Sequence, residues 1–271
     1  MDTAKLREMV ECGVQRVADS EQWRRYLEVM GRFRHYSATN CLLILFQRPD
    51  ATQVAGYKTW QKLGRQVRKG EHGISIWVPF RSSRKDTETE DEGEARPMYF
   101  GTGTVFDLAQ TDGEPLPELC ERLTGEVNAA HWVALAAYAR GRGWTLDVRT
   151  MSVNGITGAS GVILINESLA AQGALKTLCH EMAHQLLGHT GERKTVERER
   201  KELEAESVAY VTMAALGYDT SAYSLPYLTS WADGDAKKVG QAIAESASEI
   251  QCAAKTIIMA AQVEQEAEVA A

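Results

Sequence analysis

Leu178-Cys179-His180-Glu181-Met182-Ala183-His184-Gln185-Leu186-Leu187-Gly188-His189 is the stretch on which the fold and the chemistry turn. Leu175, Leu178, Cys179, Met182, Ala183, Leu186 and Leu187 recur at helical spacing, so the segment predicts an amphipathic helix. Residues four apart share a helix face. His180 and His184 can therefore hold one Zn²⁺ between them, with Glu181 beside them as a proton acceptor. For two histidines and a glutamate at these positions, chance alone gives about 0.01 occurrences in a chain of this composition, so coincidence is a weak rival.

A hydrolytic zinc site takes three protein ligands and leaves one position for water, so a third ligand has to be found. The HExxHxxGxxH continuation of the metzincins would need glycine at 187 and histidine at 190, and the chain has Leu187 and Thr190 instead. A downstream acid is the better candidate. The segment KELEAESVAY, residues 201–210, supplies Glu202, Glu204 and Glu206 at the start of a second helical pattern ending near Leu216-Gly217. Glu202 and Glu206 share a stripe with Ala205, Ala209 and Met213, so one could ligate while the other orients a ligand imidazole. Glu204 lies on another face, but the stripe below it, Val208, Val211 and Ala215, is apolar too. Periodicity alone does not settle the choice; Glu202 is taken first, with Glu206 and then Glu204 as alternatives. His189 is read as a cation at the helix end in preference to an oxyanion partner, and in both readings it stands just behind the ligands. Cys179 is read as a buried thiol.

Outward from this helix, GVILIN (161–166) and Trp144 to Arg149 read as short strands, and Gly125 to Arg140 as a helix. From Val239 the positions Ile243, Ala247, Ile250, Ala254, Ile257 and Ala261 form a long seam, which would pack on its own domain or, as the alternative, pair two copies in a homodimer. Toward the start, residues 3–18 and 21–35 are helical patterns. A third helix runs from Ser37 to a stop at Arg48-Pro49. Ile74, Ile76, Val78 and Phe80 alternate with polar or outward positions as in a strand, and Met98 to Phe106 supplies a partner. Between them, residues 81–97 are almost without apolar side chains and predict a mobile acidic loop. Pro115 and Pro117 mark a linker. The expected fold class is α+β in two domains. Residues 1–118 would form a small helix-plus-antiparallel-sheet domain and residues 119–271 a mainly helical, zincin-like one.

The 271 residues carry a formal net charge of -7, unevenly placed. Residues 1–80 hold 13 Lys and Arg against 8 Asp and Glu, a basic front in an acidic chain. Five cysteines without a CxxC pair argue against a disulfide framework and against a zinc ribbon. Apolar runs stop far short of the ~18–20 residues a bilayer span needs, and the acidic start does not read as a secretory signal. No membrane association and a cytoplasmic location are expected. Within the basic front, Lys58, Lys62, Arg65, Arg68 and Lys69 are interleaved with Tyr57, Trp60 and Trp77, the pairing by which cations follow phosphates and aromatic faces stack on unpaired bases. Composition alone allows the same residues to be core aromatics and a solvated cationic face.

Two resemblances bear on these readings. From about Ala159 to Gly217 the chain resembles the ImmA/IrrE type of metallopeptidase domain, whose second helix reads ExxA(N/D)xxA, matched here by Glu202 to Ala209. The resemblance implies Glu202 as third ligand and places Glu206 where the family has Asn or Asp, a departure at that position. Residues 35–111 resemble the N-terminal domain of ArdC-type antirestriction proteins through Ser37 and Asn40, GYKTWQKLGRQVRKGEHGI (56–74) and VFDLAQT (105–111). That family joins a single-stranded-DNA-binding domain to a zinc metallopeptidase-like domain on conjugative plasmids. The resemblance therefore implies single-stranded DNA and an unidentified protein substrate as partners, and it adds Asn40 to the nucleic-acid set. The alternatives are a non-catalytic DNA-shielding protein with structural zinc and an SprT-like protease acting on DNA–protein crosslinks. An ImmA-like regulator would not need the basic front.

Overall fold

The computed structural model describes residues 2–17, 20–81, 98–114, 127–191, 198–219 and 236–269. The acidic loop beyond Arg81 and the linker prolines Pro115 and Pro117 lie outside the described residues. The architecture is α+β, with helices and separate small sheets in two units.

One unit comprises residues 1–13 and 39–116. Helix α1 (Thr3–Arg16) opens it, and Gly13 lies so close to Phe46 that a β-carbon there would stand 2.7 Å from the ring. Helix α3 (Ala38–Gln47) is apolar on almost every side, with Cys41, Leu42, Leu43, Ile44 and Leu45 all buried. An antiparallel sheet runs in the order β1 (Val54–Gly56), β4 (Met98–Asp107), β3 (Ile74–Arg81). Strand β2 (Arg65–Val67) pairs with β5 (Thr111–Gly113), and helix α4 (Tyr57–Lys62) lies between β1 and β2. Strand β3 is the sheet's edge, and edge strands leave backbone groups unpaired. Two amides on α3 fill the gap. Asn40 donates to the Trp77 carbonyl and accepts from the Trp77 N–H, both at 2.8 Å, and two helical turns on Gln47 does the same for Ser75 at 2.8 and 2.9 Å. The alternation of β3 puts Ser75 and Trp77 on the same outward-bonding side, which is why a seven-residue spacing on the helix meets a two-residue spacing on the strand.

The other unit comprises residues 14–38 and 117–271. Helix α2 (Ser20–Arg32) belongs here by packing, which departs from a single boundary at residue 118. Its apolar stripe, Trp23, Leu27 and Met30, is fully buried; it packs on α7 (Arg198–Ala215), and the Trp23 indole donates to Ser207 Oγ at 3.2 Å. Helix α5 (Ala129–Gly141) precedes a three-stranded sheet in which β6 (Thr145–Arg149) runs parallel to β8 (Val162–Asn166) and β7 (Gly155–Thr157) runs antiparallel to it. The HExxH helix, α6 (Ala171–Leu186), packs on β7, β8 and α7. The long helix α8 (Ala236–Val269) lies against α5, α6 and α7. Its seam residues Ala247, Ile250, Ala254, Ile257 and Ala261 are buried inside this unit, as packing on its own domain requires, while the side chains of Val239 and Ile243 lie outside the described residues. No described helix is long and apolar enough to cross a membrane.

Candidate metal centre and nucleic-acid surface

Helix α6 presents His180 and His184 one turn apart, and the second turn of α7 brings Glu202 against them. His180 Nε2 lies 3.1 Å from His184 Nε2 and 3.5 Å from Glu202 Oε2, and the third side of this triangle, His184 Nε2 to Glu202 Oε2, is 3.9 Å. A tetrahedral ion with bonds of about 2.0–2.1 Å needs ligand atoms about 3.3–3.4 Å apart. The three atoms therefore form one face of such a tetrahedron with a few tenths of an ångström of slack. Among the described residues they are the cluster of this kind, and two imidazoles with one carboxylate suit a borderline-soft divalent cation.

Glu202, Glu204 and Glu206 of α7 go to three different places. Glu202 is the one at the imidazole pair. Glu206, one turn further, meets His180 Nδ1 at 3.1 Å and pairs with Lys176 through its other oxygen, so it stands behind a ligand. Glu204 points away from the cluster. It is fully buried and meets His189 Nε2 at 2.9 Å, so it is withdrawn as an alternative ligand. The side chain of His189 does not serve the helix end; it lies between His184 and Glu204, and only its backbone N–H caps α6. The chain turns at Gly188, whose φ of 69° is open to glycine at little cost, and the His189 N–H reaches back to the His184 carbonyl at 3.0 Å. This turn carries the His189 ring to His184, with the two Nδ1 atoms 2.9 Å apart.

Glu181 is buried on α6, and burial pushes its carboxyl up to about 7. Strand β7 supplies the wall above it. A β-carbon on Gly155 would stand 2.7 Å from Glu181 Oε1 and 2.5 Å from Thr177 Cγ2, so only glycine leaves this space. Gln185 fastens β7 to α6 by donating to Thr157 Oγ1 and to the Gly158 carbonyl at 2.5 and 2.8 Å. Burial acts to lower His180, but its contacts with Glu202 and Glu206 outweigh burial and raise it to about 9. Burial and the neighbouring His180 charge push His184 the other way, down. The carboxyl of Glu202 is held low by His180. Cys179 is a fully buried thiol pushed up to about 12 by that burial, and it faces away from the cluster's chemistry.

In the first unit the expected nucleic-acid residues separate into two groups. Trp60 is 2% exposed and donates its indole N–H to the Phe106 carbonyl at 2.9 Å, and Asn40 is buried against β3. Both are withdrawn from the DNA-contact set, because neither has a face or an amide to offer. Arg65 and Arg68 are committed to the structure. Arg65 binds Thr111, Gly113 and Glu114, and Arg68 binds Glu71, Asp112 and the Ala109 carbonyl, which together clasp β2 to β5. Lys58, Lys62 and Lys69 are exposed, Trp77 is half-buried, and Tyr57 is 42% exposed at the rim of an open depression that also takes in Gln66, Arg68, Lys69 and Phe106. Sequence reasoning passed over a second aromatic group. Phe80, Tyr99 and Phe100 are exposed near the far end of the β3–β4 pair, with Phe80 and Tyr99 stacked 6.0 Å apart. Only the pairing register, Phe80 opposite Tyr99, reveals this plate, and that register is not written in either strand alone.

Two family models match the chain. The model of the N-terminal domain of the anti-restriction factor ArdC matches residues 3–106, and that of the IrrE N-terminal-like domain, a peptidase M78 family, matches residues 140–226. The chain joins an ArdC-type N-terminal domain to an IrrE-like domain. The HExxH helix and Glu202 fall inside the IrrE-like domain, and the basic and aromatic residues fall inside the ArdC-type one. The uncharacterized protein pXO2-81 of Bacillus anthracis is 24% identical over 244 residues, which is 74% of this chain and 41% of that protein. The uncharacterized protein y4eC of Sinorhizobium fredii is 40% identical over 68 residues, 23% of this chain and 22% of its own length. The chain thus spans less than half of either relative. The crystal structure of the antirestriction protein ArdC from the R388 plasmid in metal-free form superposes with a TM-score of 0.55 at 23% identity, covering 83% of this chain and 85% of that one. Its Mn(II)-bound form gives 0.51 at the same identity, covering 87% and 97%. At that identity the likeness establishes the shared fold.

Proposed function

We propose that the chain is an antirestriction protein that binds single-stranded DNA through its ArdC-type domain and hydrolyses a peptide bond in a protein target with its IrrE-like domain. The observation that carries the hydrolytic half is the convergence of His180 Nε2, His184 Nε2 and Glu202 Oε2 within 3.9 Å, beside a buried carboxylate at Glu181. His180, His184 and Glu202 would hold Zn²⁺. When bound, the ion supplies Lewis-acid chemistry, acidifying a water and polarising a carbonyl. Glu181 then serves as the general base and acid. Burial raises its carboxyl in the metal-free site, and a carboxylate placed there can take a proton from water and return it to the departing amine. Glu206 and His189 fix the two imidazoles by their Nδ1 atoms, and Gly155 keeps space open over the Glu181 carboxylate.

Support for the DNA-binding half comes from the family match at 3–106 and from the exposed lysines 58, 62 and 69 around Tyr57. Cations beside an exposed ring suit a flexible strand, where backbone charge and base stacking act together. Binding is expected to favour single strands over duplex and to weaken steeply with salt; equal affinity for duplex would refute the stacking half. The deciding experiment is a pull-down from recipient cells with Glu181→Gln beside the wild type. The variant should load zinc and retain a protein that the wild type cleaves, and it should lose antirestriction. Retained antirestriction in that variant would mean that DNA shielding alone performs the function and that the metal is structural.

A further inference from the structure

The His184 ring is held from behind by a second ring, and that ring is held by a carboxylate. His184 Nδ1 lies 2.9 Å from His189 Nδ1, and His189 Nε2 lies 2.9 Å from Glu204 Oε2. The other oxygen of Glu204 accepts from Arg200 Nε at 2.9 Å and from Ser246 Oγ of α8 at 2.6 Å. Both His189 and Glu204 are buried.

One proton assignment satisfies the whole chain. If His184 offers the lone pair of Nε2 to a metal, its proton sits on Nδ1 and is donated to His189 Nδ1. His189 then carries its own proton on Nε2 and donates it to Glu204 Oε2. Glu204, an ionised acceptor, has no proton to give and takes two more donors on Oε1. The reverse assignment would aim the His184 proton at the ion. An ionised carboxylate in this setting costs several kcal/mol in desolvation unless its partners compensate, so a dry pocket of this kind would be filled at less cost by apolar side chains if packing were its only task.

We propose that Glu204, acting through His189, is a positioning residue that fixes the His184 tautomer and ring orientation for metal binding, with Arg200 and Ser246 holding Glu204 in place. Resting on the metal-site reading above, it adds a link from the site to α8, through Ser246. It makes His189 and Glu204 the counterpart, on one ligand, of what Glu206 is on the other: His180 has its carboxylate in direct contact, whereas His184 reaches one through an intervening ring.

The test is a competition titration of the full chain with Zn²⁺, and separately with Mn²⁺, against a chromophoric chelator, run beside thermal unfolding of each metal-free variant. His189→Phe removes both ring nitrogens and should weaken metal affinity by about 10–100-fold. His189→Asn, whose side-chain oxygen can still accept from His184 Nδ1 but which no longer reaches Glu204, should recover only part of that loss. Ser246→Ala should produce a smaller weakening, since Arg200 still holds Glu204. His189→Phe binding as tightly as wild type overturns the proposal. So does a folded His189→Asn that restores nothing, or a series in which unfolding temperatures fall while affinity per folded molecule stays constant. Should His189→Phe not fold, His189→Asn and Ser246→Ala still decide the matter, because both are predicted to bind metal more weakly than wild type, the asparagine variant more so, and wild-type affinity in both overturns the proposal. A wild type that takes up no divalent ion would instead remove the metal-site reading itself, which separates the two failures.

Discussion

The two units use polar side chains in opposite ways. In the first, Asn40, Gln47, Asp107, Gln110, Arg65 and Arg68 are turned mainly toward backbone: they complete an edge strand, cap the 3-10 turn at residues 108–110 and clasp two short strands. In the second, His180, His184, His189, Glu202, Glu204 and Glu206 are turned toward one another. A side chain bonded to main chain stabilises a shape and has little left for a ligand. Side chains that meet mainly one another keep lone pairs that an ion can collect. The partner of a polar group, more than its type, tells the two uses apart.

The sharpest attempt to break this contrast is Glu181→Gln, which should lower cleavage of the trapped protein by about 10²–10⁴-fold while leaving metal content and unfolding temperature near wild type. A variant that still cuts would remove Glu181 from the chemistry. In the first unit the equivalent blow falls on stability. Trp60→Ala should cost about 3–5 kcal/mol in chemical denaturation, because it empties a core site and orphans the Phe106 carbonyl. Tyr57→Ala should instead weaken single-stranded DNA by about 1–3 kcal/mol and leave the fold nearly intact. If both variants altered DNA affinity alone, Trp60 would have been misplaced.

A smaller effect is expected from Asn40→Leu, which strands the Trp77 N–H and carbonyl and should destabilise by about 1–3 kcal/mol, read by urea unfolding with DNA affinity per folded molecule unchanged. Counted per pH unit, the smallest is a pH effect on metal-free protein. His180 is raised from 6.5 to about 9, so between those values the folded state binds more protons than the unfolded one and stability falls as pH rises. The slope from this group is at most about 1.4 kcal/mol per pH unit, and Glu206→Gln should flatten it. Thermal unfolding between pH 6.5 and 9 checks this, and a stability that climbs with pH over that window would contradict the ion-pair account of His180.

How much of this was legible in the sequence follows from where each element packs. The HExxH helix has a buried face and a site face, and its period, its partner strand GVILIN and both histidines could be read directly. The choice among Glu202, Glu204 and Glu206 could not. Helix α7 packs against α2, α6 and α8, so apolar residues surround it and its periodicity cannot indicate which face meets the imidazoles. Strands β1, β2 and β5 have three residues each, too short for alternation to register, and the side chains that hold them, Arg65, Arg68 and Asp107, find partners far off in the chain. Trp60 and Tyr57 looked alike in a string of cations and aromatics. One turned inward because its indole found the Phe106 carbonyl, and the other stayed at the rim. The Glu204–His189 connection was hidden because it depends on a left-handed turn at Gly188 and on a serine 42 residues further along.

The pair of amides on α3 bears on how this protein behaves in a crowded solution. An uncovered outer strand is a template on which a second chain can continue the hydrogen-bond ladder, and such recruitment is how folded proteins begin to form fibres. Asn40 and Gln47 occupy that template at Ser75 and Trp77, so no incoming polypeptide finds a vacant ladder there. Solubility in this region is therefore secured by two uncharged side chains, and it should survive changes in salt and pH that would disable protection built from charge.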